Sequence, residues 1–237
     1  MNIPSQQPKL YLSAPHPCPY IKPETASTVL LDPGHPVDTT LFGILLKTGF
    51  RRSGETIYRP RCGNCNACVS VRIAAREYRP NRAQRRTHNR NSDLRTTMTP
   101  TAFNREHFDL YRRYQAWRHS GDIMDHSDPR RYREFIVESP VETVFIEHRL
   151  NEKLAAVSVC DLLDDGMSAV YTFFDPALQN RSLGTYAIMK QIDYINDMGL
   201  DWLYLGYWID DCEKMNYKIN FTPIFGYINR EWRLLRL

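Results

Sequence analysis

The densest chemistry in the sequence lies in Arg61-Cys62-Gly63-Asn64-Cys65-Asn66-Ala67-Cys68, where three cysteines stand at C-x2-C-x2-C spacing. Each C-x2 step lets two thiolates converge on one ion while the backbone between them, eased by Gly63 and Asn64, turns around it. A fourth ligand is needed. Cys18, in His16-Pro17-Cys18-Pro19-Tyr20, is the first choice, with His16 or His88 behind it. An all-thiolate set whose remote cysteine precedes a proline suits an iron–sulfur cluster slightly better than zinc. Three reduced thiols packed as small residues are the bland alternative. Cys160, in an apolar run, reads as a buried strand residue, and Cys212 is isolated.

A second concentration is Tyr171-Thr172-Phe173-Phe174-Asp175-Pro176, which leads through Arg181-Ser182-Leu183-Gly184-Thr185 into a helical pattern. A strand that ends in a loop and restarts as a helix leaves unpaired N–H groups pointing outward, and with the helix dipole they form an anion site. Gly184 admits a ligand to the first turn, and Arg181 brings positive charge where a phosphate would sit. The run Arg181-Ser182-Leu183-Gly184-Thr185-Tyr186 resembles the Arg/Gln-x-x-Gly-x-Gly/Ala fingerprint of the acetyl-CoA-dependent acyltransferase superfamily. It departs at Tyr186, where a small residue is the rule and a tyrosine is expected to crowd a CoA pyrophosphate.

A third concentration, residues 76–95, is dense in arginine and contains no lysine. A face needing only solubility would mix the two, whereas guanidinium supplies bidentate phosphate contacts and stacking on bases. Arg82, Arg85, Arg86, Arg90 and Asn91 are the candidate RNA contacts, with Tyr78 and His88 as stacking partners; a solvated helix face is the alternative.

These residues need a folded frame, and the composition supplies one. The chain has 237 residues, 42% apolar and 24% charged, which excludes disorder and low complexity. No apolar run approaches the roughly 18 residues of a membrane helix, and the first fifteen residues lack the pattern of a signal peptide. The chain is read as cytoplasmic, with no membrane partner and with its thiols reduced. The net charge of +4 hides a gradient. Residues 1–50 are neutral, residues 51–133 carry 19 Arg, no Lys and 8 acids, and residues 134–237 carry a net −7.

Short strands are predicted at 55–58 and 69–73, and the polar stretch 95–100 marks a boundary. Beyond it follow a helix ending near Gly121 and a second helix after Ser127-Asp128-Pro129. Three antiparallel strands come next, at 141–149, 153–162 and 167–174, then a helix over 182–198, a strand at 202–205, a short helix at 213–217 and a final strand at 227–234. The fold class is α/β (α+β). Residues 1–98 form a smaller, loop-rich, cysteine-containing domain and residues 99–237 an acyltransferase-like (GNAT-like) domain.

Taken in order, several stretches resemble the arginyl/leucyl-tRNA–protein transferases over nearly the whole chain, above all the short bacterial leucyl members. They are Cys18-Pro19-Tyr20, the run from Tyr58 to Cys68, Gln84-Arg85-Arg86, Arg90-Asn91-Ser92-Asp93-Leu94, the Tyr171 and Arg181 stretches, Leu205-Gly206-Tyr207-Trp208-Ile209 and Lys214-Met215-Asn216-Tyr217-Lys218. The resemblance implies aminoacyl-tRNA as donor, Leu-tRNA preferred over Arg-tRNA. It also implies acceptor proteins with N-terminal Asp or Glu that are thereby marked for N-end-rule degradation, no cofactor required for transfer, and a monomer. Eukaryotic arginyl members are linked to an iron–sulfur cluster held by two cysteine pairs; here Ile21 stands where a second cysteine of the first pair would be.

For the implied attack of an α-amine on the aminoacyl ester, Asp175 is the candidate to orient the incoming ammonium or to relay its proton, assisted by Tyr171 or Tyr207. Arg181, Ser182, Gly184 and Thr185 would hold the terminal nucleotide, and Lys214, Lys218 or an N-terminal arginine would meet the acceptor's carboxylate. Two other classes compete: a CoA-dependent N-acetyltransferase with a structural zinc, and a non-catalytic RNA-binding module.

Overall fold

The computed structural model describes residues 8–118 and 128–236. The chain opens with β1 (Leu10–Leu12), the two-residue strands β2 (His16–Pro17) and β3 (Thr25–Ala26), β4 (Thr28–Leu31), α1 (Thr39–Lys47), β5 (Arg51–Ser53) and β6 (Thr56–Pro60). β1, β4, β6 and β5 form an antiparallel sheet in that order. Asp38 caps α1 by accepting from the Leu41 N–H at 2.7 Å. Phe42, Leu45 and Leu46 of α1 pack between this sheet and Leu163 and Tyr204 of the rest of the molecule.

The chain continues through β7 (Val69–Ala74), α2 (Arg82–Arg90), β8 (Leu94–Pro100), α3 (Arg105–Arg118), α4 (Pro129–Tyr132), β9 (Thr143–Leu150), β10 (Lys153–Leu163), β11 (Gly166–Phe174), α5 (Leu183–Asp197), β12 (Trp202–Trp208), α6 (Glu213–Asn216), β13 (Ile224–Ile228) and β14 (Glu231–Leu234). These strands build one eight-stranded mixed sheet in the order β14-β13-β7-β12-β11-β10-β9-β8. Apolar residues of β7, β12 and β11 meet Ile188, Ile192 and Ile195 of α5 in the largest core cluster. No helix among the described residues is long and apolar enough to cross a membrane.

The mixed α/β class and the antiparallel meander leading into a β-α-β unit stand as read from the sequence. Asn151 and Glu152 both take positive φ (47° and 67°) in the β9–β10 turn. Two segments differ. Residues 94–100, polar and ending in proline, are the edge strand β8 paired along β9, because an edge position tolerates a terminal proline. Residues 224–234 are a hairpin of two strands, turned at Asn229 and Arg230, both at positive φ. The expected helix end near Gly121 lies outside the described residues.

Arg52 on β5 and Asp161 on β10 join the two sheets in a fully buried ion pair. Arg52 Nε lies 2.9 and 3.0 Å from the two carboxylate oxygens, and Thr143 Oγ1 donates to Oδ1 at 2.8 Å. Each charge keeps a partner, the condition on which a buried pair is tolerated.

His148 on β9 is also buried, its Nδ1 3.0 Å from Thr96 Oγ1 and its Nε2 without a partner. Burial, reinforced by Lys190, lowers its pKa to about 3. The unfolded imidazole takes its proton near pH 6.5, so between there and about pH 3 the unfolded state binds more protons and the fold loses stability. The expected slope from this one group is about 1.4 kcal/mol per pH unit. Urea unfolding between pH 7 and 4 measures it, and His148→Gln is expected to flatten the profile.

Candidate active site

Strands β11 and β12 run parallel but pair only at Gly166–Trp202, Met167–Leu203 and Ser168–Tyr204. Beyond these positions β11 stays with β10 as far as Phe174–Ala156, and β12 stays with β7 as far as Trp208–Val69. A bulge between Tyr204 and Gly206, with Gly206 at φ 78°, turns β12 aside. The sheet therefore opens into a wedge whose facing backbone groups do not bond to one another, an edge where an extended ligand can lie.

One wall of the wedge is aromatic. Tyr111 and Tyr114 of α3 meet Tyr171 edge to face, and Tyr114 and Trp117 close on Phe174. The Tyr171 hydroxyl accepts from Gln115 Nε2 at 3.1 Å, and burial holds its pKa well above the usual phenol value. Asp175, where β11 ends, caps the turn Pro176–Arg181: its Oδ1 accepts from the Ala177 N–H at 3.0 Å, and its Oδ2 lies 3.5 Å from Arg113. Asp175 and Tyr171 thus share one wall. Tyr207 does not join them; its hydroxyl donates to the Gly49 carbonyl at 2.8 Å, on the side of the cysteine loop.

The turn itself is built against α2. Ser182 adopts the left-handed conformation (φ 57°, ψ 44°) ahead of α5, whose first-turn positions include Leu183, Gly184 and Thr185. A Cβ on Gly184 would meet nothing within 4 Å, so the glycine faces open space. Arg181 is 22% exposed at its side chain and forms a bidentate pair with Asp93, at 2.8 and 3.0 Å, which holds the Asp93 carboxyl below its usual range. Asn91 is fully buried and donates to the carbonyls of Thr87 and Arg181, both at 2.8 Å, while Arg90 donates to the Asn180 carbonyl. Tyr186, read from the sequence as an obstruction at the fingerprint, turns inward against His148 and His88 and obstructs nothing outside.

On the outer face of α2, Arg82, Arg85, Arg86 and Arg90 are exposed, and among the described residues none of them pairs with a carboxylate. Tyr78 packs inward against Phe221, 6.0 Å between ring centroids, and is no stacking platform. The helix exists because Asn81 and Gln84 form a reciprocal capping box and because Gln84 and Thr87 bury one side.

Cys18, Cys62, Cys65 and Cys68 line a single cavity of about 110 Å³ together with His16, Tyr58 and Tyr207, whereas His88 faces Tyr186. Burial first, then the neighbouring Cys62, Cys18, Cys65 and Cys212, pushes the Cys68 thiol up to about 12. Among the described residues no three His, Cys, Asp or Glu side chains are placed to hold a metal ion as they stand. Lys214 is exposed on α6. Lys218 is buried, and burial followed by repulsion from Arg51 draws its pKa down to about 7. Arg51, the α3 side of the aromatic wall and the pairing of Asp93 with Arg181 were not predicted from the sequence. In the sequence Phe103, Leu110, Tyr114 and Trp117 recur at helical intervals and read only as the face of an amphipathic helix.

The family models described as "Arginine-tRNA-protein transferase, N terminus" and "Arginine-tRNA-protein transferase, C terminus" match residues 16–86 and 106–227. An aspartate/glutamate leucyltransferase of Pseudomonas aeruginosa is 45% identical over 224 residues, 94% of this chain and 95% of its own. Proteins of the same description from Pseudomonas fluorescens (46% over 227 residues, 96% and 97%) and Pseudomonas entomophila (47% over 224 residues, 94% and 95%) are equally similar. Among solved structures, the C-terminal domain of a protein described as a lysylphosphatidylglycerol synthetase from Agrobacterium fabrum aligns at TM-score 0.48 and 9% identity, covering 70% of this chain and 50% of that one.

The contacts of Asn91 separate a structural role from RNA contact. Asn91→Ala leaves two carbonyls unpaired in the interior and is expected to lower unfolding stability by about 1–3 kcal/mol, read by denaturant midpoint. Asp93→Ala, at an exposed pair, is expected to cost far less.

Proposed function

The chain belongs to the arginine-tRNA-protein transferase family, and we propose that it moves leucine from leucyl-tRNA to the α-amine of proteins that begin with Asp or Glu. Near-complete, two-way coverage at 45–47% identity to aspartate/glutamate leucyltransferases carries the reading. The opened wedge between β11 and β12, walled by aromatic side chains and flanked by the arginine face of α2, supports it. The acceptors so tagged are those of the N-end-rule degradation route.

The reaction replaces the ester to the tRNA ribose by an amide. An α-amine with a pKa of about 7.7–8.0 is partly neutral at pH 7, so the demand on a base is modest and the demand on positioning is large. Asp175 orients the incoming ammonium through Oδ2, the oxygen not committed to the turn, and Tyr171 closes that wall from a desolvated position. Gly184 and Thr185, in the first turn of α5, face the terminal nucleotide over the open surface above Gly184, with Ser182 setting the entry to that turn. Arg181, gripped by Asp93, acts by holding the turn to α2 rather than by reaching the nucleotide first. Asn91 does the same from below, and the acceptor arm lies along Arg82, Arg85, Arg86 and Arg90. The GNAT-like reading of the large sheet rests on its element order and on the strand, turn and helix at Arg181–Tyr186, where the sequence resembles that superfamily's fingerprint.

Tyr207, on β12, lines the cysteine cavity while its hydroxyl is held by the Gly49 carbonyl. The loop's three thiols and Cys18, gathered on one cavity, have the donor chemistry for an iron–sulfur cluster or a zinc ion. Such a group when bound would neutralise them and lock the loop beneath β12.

The transferase assay uses charged tRNA bearing labelled leucine, or arginine, and peptides beginning with Asp, Glu or Ala. Label on the acidic N-termini alone is the expected result, with leucine as donor; label on none sinks the reading. Asp175→Asn is expected to lower transfer about 100-fold with the fold intact, and wild-type rates would remove Asp175 from the mechanism. Arg82→Ala with Arg86→Ala is expected to weaken tRNA binding and to reduce the slope of log affinity against log salt by about 1 per arginine, leaving the peptide KM unchanged.

A further inference from the structure

Two buried cations meet over Gly206 without an anion. Arg51 is 5% exposed and Lys218 6% exposed. A Cβ placed on Gly206 would find only Lys218 Nζ at 3.9 Å and Arg51 Nε at 4.0 Å within 4 Å, so the space above this glycine is open and bounded by two cationic nitrogens. Arg51 Nε is buried and has no hydrogen-bond partner; its two terminal nitrogens are taken by the carbonyls of Leu46 and Phe50 and by Ser70 Oγ. Lys218 Nζ donates to the Tyr207 carbonyl and touches Met215 Sδ. The other groups that face the pair are the rings of Tyr204 and Tyr207 at 5.9 and 5.7 Å from the guanidinium, the Tyr58 phenol and the Cys212 thiol. Among the described residues no carboxylate forms an ion pair with either cation.

Two desolvated like charges with no counter-ion destabilise a fold, and replacing either with a neutral side chain would relieve it. Lysine at 218 draws down its own proton affinity for that reason. Such an arrangement is stable in use only when an anion completes it. A carboxylate carbon at the place of that Cβ would lie 3.9 Å from Lys218 Nζ and 4.0 Å from Arg51 Nε, which brings its oxygens within hydrogen-bond reach of both. The gap also lies two residues past the last β11–β12 pair, at the mouth of the wedge, and the neighbouring Tyr217, 44% exposed, reaches toward Tyr114 and Arg118 on the opposite wall.

We propose that Arg51 Nε and Lys218 Nζ bind the side-chain carboxylate of the acceptor's first residue in the gap above Gly206, and so set the preference for acidic N-termini. This rests on the transferase reading, which fixes the acceptor as Asp or Glu. Glycine at 206 is required because any side chain would occupy the place of that carboxylate, and because φ 78° suits no other residue well.

The test compares binding and leucylation of two peptides that differ only in beginning with Asp or Asn, using the full chain, leucyl-tRNA, and the wild type, Lys218→Met and Lys218→Arg proteins. The wild type is expected to bind the Asp peptide about 30–100-fold more tightly than the Asn peptide, and Lys218→Met to erase that ratio by weakening the Asp peptide alone. At saturating peptide the KM for Asp is expected to rise more than kcat falls, Lys218→Arg to recover part of the ratio, and the thermal midpoint of Lys218→Met to equal or exceed that of the wild type. An unchanged Asp-to-Asn ratio in a folded Lys218→Met protein, or a wild type that binds both peptides equally, overturns the proposal. Failure of the wild type to transfer leucine at all would instead strike the transferase reading.

Discussion

Strands β11 and β12 keep company for three residues and then part, because each is held more firmly on its other edge: β11 by eight residues of β10, β12 by the inserted strand β7. Parallel pairing gains slightly less per residue than antiparallel pairing, so this is the ladder that yields. The aromatic wall, the Asp175 turn and the gap over Gly206 all lie on the margins of the opening that results. β7 comes from the half of the chain that carries the cysteine loop. The loop runs directly into β7, which pairs with β12, and is therefore coupled through the backbone to the strand that forms one lip of the wedge.

The positive charge of residues 51–133 divides into two populations with opposite duties. Arg52 neutralises Asp161 inside the fold, and Arg72 lies over the rings of Trp202 and Trp232 at 3.6 and 4.3 Å. Arg51 waits beside Lys218 with no counter-ion. On α2, Arg82, Arg85, Arg86 and Arg90 face outward, and among the described residues none of them pairs with a carboxylate. On the proposed reading a polyanion would meet that helix and a single carboxylate the inner pair, which would keep the nucleic acid and the acidic N-terminus on separate charges.

The same logic governs the turn before α5. An arginine at a helix N-terminus reads as a phosphate ligand until its partner is known. Asp93, three residues beyond Arg90, claims Arg181 and makes it a strut between α2 and the turn. At that turn the surface above Gly184, at the start of α5, is open, and it is there that the proposed nucleotide would lie.

Periodicity carried the meander β9–β11, helix α5 and the parallel return to β12, because each element's burial pattern is local to its own residues. Cysteine spacing carried the loop, and several motifs in a fixed order carried the family. What the linear chain could not reveal was pairing between residues far apart in it. β7 sits between β12 and β13, β8 edges the sheet although it is polar, Tyr78 and Asn91 turn inward from a stretch that looks solvent-facing, and Arg51 meets Lys218 from 167 positions away. Residue type determines which charges and donors a protein owns. Whether a charge is a ligand, a strut or an unpaired guest is decided by what the tertiary fold places within a few ångströms of it, since desolvation and hydrogen bonding act over that range alone.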